Sequence, residues 1–165
     1  MPDKVRKLVT LAIPHPAGIR PSLSLLWSVR HFFYLRRRSV PKKIRDTDFA
    51  YIRELVQRWS PAWDIPSDEL DPVLEAFSKP GCLEAALGYY RALSPGIPEG
   101  QRKKVQVPAV AFAGTDDIVH PDAFRGAAHR YAAGYDVVTM PGGHFMHREH
   151  PEHFNAELLR VLSDA

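Results

Sequence analysis

A single cysteine, Cys82, in 165 residues leaves no partner for an internal disulfide and no thiolate set for a cysteine-based zinc site. No apolar run approaches the ~20 residues that a membrane-crossing helix needs. The first residues, Met1-Pro2-Asp3-Lys4-Val5-Arg6-Lys7, lack the apolar stretch and small-residue cleavage site of an export signal. No Gly-x-Gly-x-x-Gly loop is present for a dinucleotide. Of the ten glycines only Gly96 and Gly100 stand four apart, with Pro98 between them, so no Gly-x-Ser-x-Gly turn presents a nucleophile. These absences lead to the expectation of a reducing, cytoplasmic setting with no cofactor and no membrane partner.

What is present suffices for a packed core. Apolar residues make up 45% of the chain and charged residues 25%, a balance that excludes disorder. The net charge of +3 is mild and comes mostly from Arg36-Arg37-Arg38 and Lys42-Lys43-Ile44-Arg45. With no recognisable nucleic-acid module beside it, that block reads as a solvated helix end and loop rather than a phosphate-binding surface.

The fifteen prolines divide the chain into a readable order. Residues 5–13 form a short β-branched apolar run that stops at Pro14-His15-Pro16, as a buried strand would. Helical patterns follow from about Pro21 to Arg37 and from a cap at Asp46 or Thr47 to Trp59. A third begins at Ser67-Asp68-Glu69 or, alternatively, at Asp71-Pro72, and a fourth runs from Cys82 to Leu93. After Pro95-Gly96 the texture changes. Residues 107–113 read as a second buried strand, 121–132 as a helix, 135–140 as a third strand and 148–162 as a last helix. The alternation is that of an α/β fold with a parallel sheet, and the four helices read as an insertion between two of its strands. A parallel sheet of only three strands is narrow and leaves an apolar edge, so the chain reads as the second half of something larger.

Chemistry in open α/β sheets gathers beyond the carboxyl ends of the strands. The loop after the second strand, Gly114-Thr115-Asp116-Asp117, carries two carboxylates there, although Asp also suits a plain turn. The loop after the third, Pro141-Gly142-Gly143-His144-Phe145, carries a histidine on a glycine-rich turn. A histidine base needs a partner to hold its ring in one tautomer, and parallel neighbours about 5 Å apart bring two such loops together. Asp117 and His144 are therefore the expected catalytic pair. His144, His147, His150 and His153 recur every third residue, yet His147-Arg148-Glu149-His150 is one residue short of a zinc-protease pattern and Pro151 interrupts it, so no metal is expected. Cys82, at a helix start, reads as a packed or capping residue rather than a nucleophile.

These residues resemble the second half of an α/β-hydrolase of the epoxide hydrolase-like group. Leu11-Ala12-Ile13-Pro14-His15-Pro16 resembles the strand end from which that group's cap departs. Arg58-Trp59-Ser60-Pro61-Ala62-Trp63 and the stretch from Ala76 to Arg91 are similar to its cap helices. Gly114-Thr115-Asp116-Asp117 resembles its acid loop, and Gly143-His144-Phe145 with Glu149-His150-Pro151-Glu152 its histidine loop and final helix. The resemblance implies a core strand and loop over 1–16, a helical cap over 17–100 and the C-terminal part of the core over 101–165. It implies that Asp117 orients His144, which activates water against an ester formed on a nucleophile. Two cap tyrosines of that group donate to the epoxide oxygen; Tyr90 stands where the second belongs, and the first falls near His31, where the group has Trp-Tyr. That departure leaves two alternatives open: His31 donates in the tyrosine's place, or the small apolar substrate is an ester, a lactone or a carbon–halogen compound rather than an epoxide.

The chain is thus expected to be inactive alone, its partner being a missing N-terminal half or a second copy at the open sheet edge. The competing expectation is a non-catalytic module that binds a ligand or a partner.

Overall fold

A computed structural model describes residues 4–19, 23–93 and 96–163. The chain groups into two units: Met1–Pro21, Trp59–Trp63 and Ile97–Ala165 form the first, and Ser22–Arg58 with Asp64–Gly96 the second.

The first unit is built on three parallel strands, β1 (Leu8–Leu11), β2 (Ala109–Gly114) and β3 (Tyr135–Met140), in that spatial order. Leu8 is paired with Ala109 and Ala109 with Tyr135, so the register runs straight across the sheet. β1 is shorter than residues 5–13 because Ala12 turns into the left-handed region at φ 56° and ends the extended run. β2 is buried along its whole length, as expected of a central strand covered on both faces. Its period-two alternation divides the core. Val110 and Phe112 pack on one face with Ala12, Met140, Met146, Phe154 and Val161. Ala111 and Ala113 face the other way, onto Phe124.

The same unit holds α7 (Glu99–Arg102), which buries nothing, and the helices that supply those partners, α8 (Pro121–Gly126), α9 (Met146–Glu149) and α10 (Pro151–Ser163). Two of them correct the sequence reading. The helix expected over 121–132 ends at Gly126 and continues as a 3₁₀ turn, Ala128–Arg130. The helix expected over 148–162 is two helices, because Pro151 disfavours helical backbone in the residue before it and His150 adopts φ −134°, ψ 62°.

The second unit holds α1 (Leu23–Ser28), α2 (Arg30–Leu35), α3 (Val40–Asp46), most of α4 (Ala50–Trp59), α5 (Asp71–Ser78) and α6 (Cys82–Ala92). Helices α2, α3 and α5 each pack on α6. Leu35, Val40, Ile44, Ile52, Leu55, Leu74, Leu83 and Leu87 are among its buried side chains. The single helix expected from Pro21 to Arg37 is interrupted at Val29, where the imidazole of His31 engages the Ser28 carbonyl at 3.1 Å; its expected start at Pro21 lies outside the described residues.

Helix α3 was not expected. Val40, Pro41 and Ile44 are buried while Lys42 and Lys43 face solvent, so a segment read as a solvated helix end and loop is an amphipathic helix with proline in its first turn. The Thr47 hydroxyl, expected to start α4, instead donates to the Lys43 carbonyl at the end of α3. Asp48 and Phe49, both at positive φ, separate α3 from α4. Arg45 on α3 grips Glu84 on α6 through two parallel bonds of 2.6 Å, a fork-to-fork pair that fixes the two helices' register. The Asp71-Pro72 start is the one used by α5. Cys82 opens α6 but is exposed, not packed, and Gly81 occupies the cap position. Among the described residues no helix is long and apolar enough to cross a membrane.

Candidate functional site

Both candidate loops leave the same end of the sheet, from the paired ends Gly114 and Met140. Their backbones are tied before any side chain is considered. The Thr115 amide donates to the Met140 carbonyl and the Asp116 amide to the Gly142 carbonyl, each at 2.9 Å. Gly142 sits at φ +100°, a conformation that L side chains rarely adopt, and turns the chain back over the strand end.

Asp117 and His144 meet on this platform. Nδ1 of His144 lies 3.1 Å from Oδ2 of Asp117. A carboxylate only accepts, so the ring's proton resides on Nδ1 and Nε2 is left with its lone pair. The Asp117 side chain is fully buried, whereas 22% of the His144 side chain remains exposed. The pair is thus a buried acceptor behind a partly open imidazole. Asp117 also accepts from the Val119 amide at 3.3 Å through Oδ1. The turn role and the partner role coexist on its two oxygens.

Aromatic rings fix the plane of the imidazole. Trp59 lies 5.0 Å from it, centroid to centroid, and Phe145 lies edge-on at 5.3 Å. The loop's backbone is held as closely. The Gly143 amide donates to Glu149 Oε1 at 2.8 Å, the His144 amide to the Trp59 carbonyl at 2.9 Å, and the Phe145 amide to the Ser60 hydroxyl at 3.2 Å. Ser60, fully buried, donates to Glu149 Oε1 at 2.6 Å. The sequence reading gave no role at this site to Trp59 or Ser60. They lie some 85 positions from the loop they hold, in a stretch read as helical cap; the resemblance had cited Glu149 without a role. The one local signal is a serine between a tryptophan and a proline, with a second tryptophan at 63.

His31 and Tyr90 belong to the second unit. His31 is only 2% exposed and packs edge-on against Phe32 and Tyr90, at 4.6 and 6.1 Å. Its Nδ1 lies 3.1 Å from the Ser28 carbonyl, an acceptor, so that nitrogen carries a proton. Burial, and after it the neighbouring Tyr89 and Tyr51, push the Tyr90 phenol above its ordinary value, so it keeps its proton at neutral pH. Among the described residues no three His, Cys, Asp or Glu side chains gather as a metal-holding group.

No family model matches the chain. Among curated proteins it is similar to an AB hydrolase superfamily protein, YfhM, of Bacillus subtilis (strain 168), 22% identical over 169 residues that cover 99% of the chain and 59% of the relative. It is also similar to mouse Epoxide hydrolase 3, 25% identical over 130 residues, covering 76% of the chain and 35% of that protein. Among solved structures, an epoxide hydrolase from Bacillus megaterium in complex with an inhibitor superposes with a TM-score of 0.77 at 19% identity, over 98% of this chain and 62% of the other. The Cif epoxide hydrolase from Acinetobacter nosocomialis gives 0.73 at 23% identity, over 96% and 54%. The chain therefore spans about three-fifths of the length of the first of these curated relatives and a similar share of the solved ones.

Proposed function

We propose that the chain, whose sequence and structural neighbours point to the α/β-hydrolase superfamily with epoxide hydrolase-like homologues and whose fold is consistent with a C-terminal portion of that architecture, supplies the acid and the histidine of a hydrolytic triad. The observation that carries the reading is the 3.1 Å contact of His144 Nδ1 with a fully buried Asp117, on loops that follow neighbouring parallel strands. In this reading Asp117 holds the tautomer and stabilises the imidazolium. Nε2 takes a proton from the water that attacks the acyl carbon of a covalent ester and gives it to the oxygen that leaves, which is the product's alkoxide where the nucleophile is Asp and the nucleophile's own oxygen where it is Ser. The substrate is a small apolar electrophile, with an epoxide as the first candidate. Tyr90 suits a donor to an oxygen that gains negative charge, because its proton is retained. His31, packed edge-on against Tyr90, is proposed as the second cap residue that faces the substrate.

The segment around α1 to α6 is proposed as the cap over the substrate. The nucleophile is proposed to come from chain outside these residues, seated along the free edge of β1. A reducing, cytoplasmic setting belongs to the same proposal and is supported by the single cysteine.

The test begins with the coding DNA upstream of Met1. An in-frame strand ending in Gly-x-Asp-x-Gly or Gly-x-Ser-x-Gly is expected. Expressed together with the chain, that segment should yield turnover of aryl epoxides or nitrophenyl esters, while the 165-residue chain alone yields none. Turnover by the chain alone, or a well-folded joined protein inert on both substrate classes, overturns the reading; the second outcome favours a binding module.

A further inference from the structure

Three successive backbone amides of the histidine loop are each taken by a different acceptor. The Gly143 amide goes to the Glu149 carboxylate, the His144 amide to the Trp59 carbonyl and the Phe145 amide to the Ser60 hydroxyl. The Ser60 hydroxyl closes the set by donating to the same Glu149 oxygen that receives Gly143. We infer that Glu149 and Ser60 are positioning residues for His144, and that their shared hydrogen bond sets the distance between His144 and Asp117.

The loop needs such a device. Two adjacent glycines at 142 and 143 give it more backbone freedom than any other pair of residues would, and freedom there moves the imidazole directly. The steric fit is as tight as the hydrogen bonding. A Cβ on Gly143 would stand 2.4 Å from the Trp59 carbonyl oxygen and 2.7 Å from the Ser60 hydroxyl, and one on Gly142 would stand 3.0 Å from Glu149 Oε2. The absence of side chains therefore lets the loop lie directly against its two anchors. Ser60 is fully buried and has both its donor and an acceptor position engaged, so it is not placed there for solubility or for capping a helix. An anchor of this kind holds a base within the few tenths of an ångström that proton transfer tolerates. The inference rests on the reading of His144 as the base.

The experiment uses the 165-residue chain and proton NMR. In the parent, the Nδ1 proton of His144 should give a low-field resonance that Asp117→Asn abolishes. Glu149→Ala and Ser60→Ala should each broaden or remove that resonance and speed exchange of the Gly143 or Phe145 amide by about tenfold or more, the factor one hydrogen bond is worth. Glu149→Gln, whose side-chain oxygen can still accept both bonds, should restore the resonance. A pair with a merely structural role would lower the melting temperature and leave the resonance in place. Persistence of the resonance at parental intensity in both alanine variants overturns the inference while leaving the site reading intact. Its absence from the parent overturns the site reading itself. If the alanine variants do not fold, the parent decides: protection of all three amides is expected, and their exchange at the rate of exposed loop amides while the low-field proton persists overturns the inference.

Discussion

Gly114, the last residue of β2, lies directly beneath the carbonyl of Gly143 in the histidine loop. A Cβ at position 114 would stand 2.3 Å from that oxygen and 2.4 Å from the Gly142 oxygen. Both obstacles are backbone, so neither can swing aside. Gly114→Ala is expected to destabilise the chain by about 1–3 kcal/mol through overpacking, and Gly143→Ala by a similar amount against the Trp59 carbonyl and Ser60. Gly126→Ala, where an added Cβ meets nothing within 4 Å, should change stability by no more than about 1 kcal/mol. Urea denaturation midpoints of the three variants check this ordering.

The buried carboxylate of Asp117 gives a second prediction. Asp117→Asn preserves volume but replaces a charged acceptor with a neutral amide facing an N–H donor. The cost of weakening one charge-assisted hydrogen bond is about 1.5–3 kcal/mol, read as a lower urea midpoint. Asp116→Asn, an exposed neighbour, should stay within about 0.5 kcal/mol of the parent.

Acid sensitivity should arise in part from Glu84. Its hydrogen bonds to Arg45, followed by backbone bonding, hold its carboxyl at about 2, below the ordinary 4.5. A folded value below the unfolded one stabilises the fold above 4.5, and that contribution fades as pH falls from 4.5 towards 2. The melting temperature of Glu84→Gln should therefore fall less over this window than the parent's. Both groups are part-exposed, so added salt should narrow the difference between the two proteins.

His15 adds a window nearer neutrality. Its burial, and after that the charges of Arg130 and His129, push it below its ordinary 6.5. Its Nδ1 must stay unprotonated to accept the Ala17 amide at 3.1 Å. The contribution to stability is complete above 6.5 and declines as pH falls below it, because the unfolded chain binds the proton first. His15→Asn keeps an acceptor for Ala17 and should flatten melting temperature against pH in that range.

Much of the sheet was legible because its signals are local. Residues 135–140 are mostly apolar and β-branched and are bounded by glycines and a proline, and they form β3 over that range. The approach of Asp117 to His144 was legible for a different reason. Parallel neighbours put successive loops at one end, so topology alone carries the two side chains together. What was illegible depends on distant partners or on weak periodicity. Helix α3 shows only Val40 and Ile44 as an apolar pair amid basic residues, and nothing local says that those two are buried. The break at Val29 coincides with a side chain bonding back to a carbonyl, and the Ser60–Glu149 contact joins residues 89 positions apart. Neither leaves a pattern that composition or spacing can expose.

The role of His144 is tested most directly by rate. In the chain joined to the proposed nucleophile-bearing segment, His144→Gln should lower turnover of an aryl epoxide by about 10³-fold or more, with substrate binding little changed. Turnover by His144→Gln at the parental rate would contradict the account.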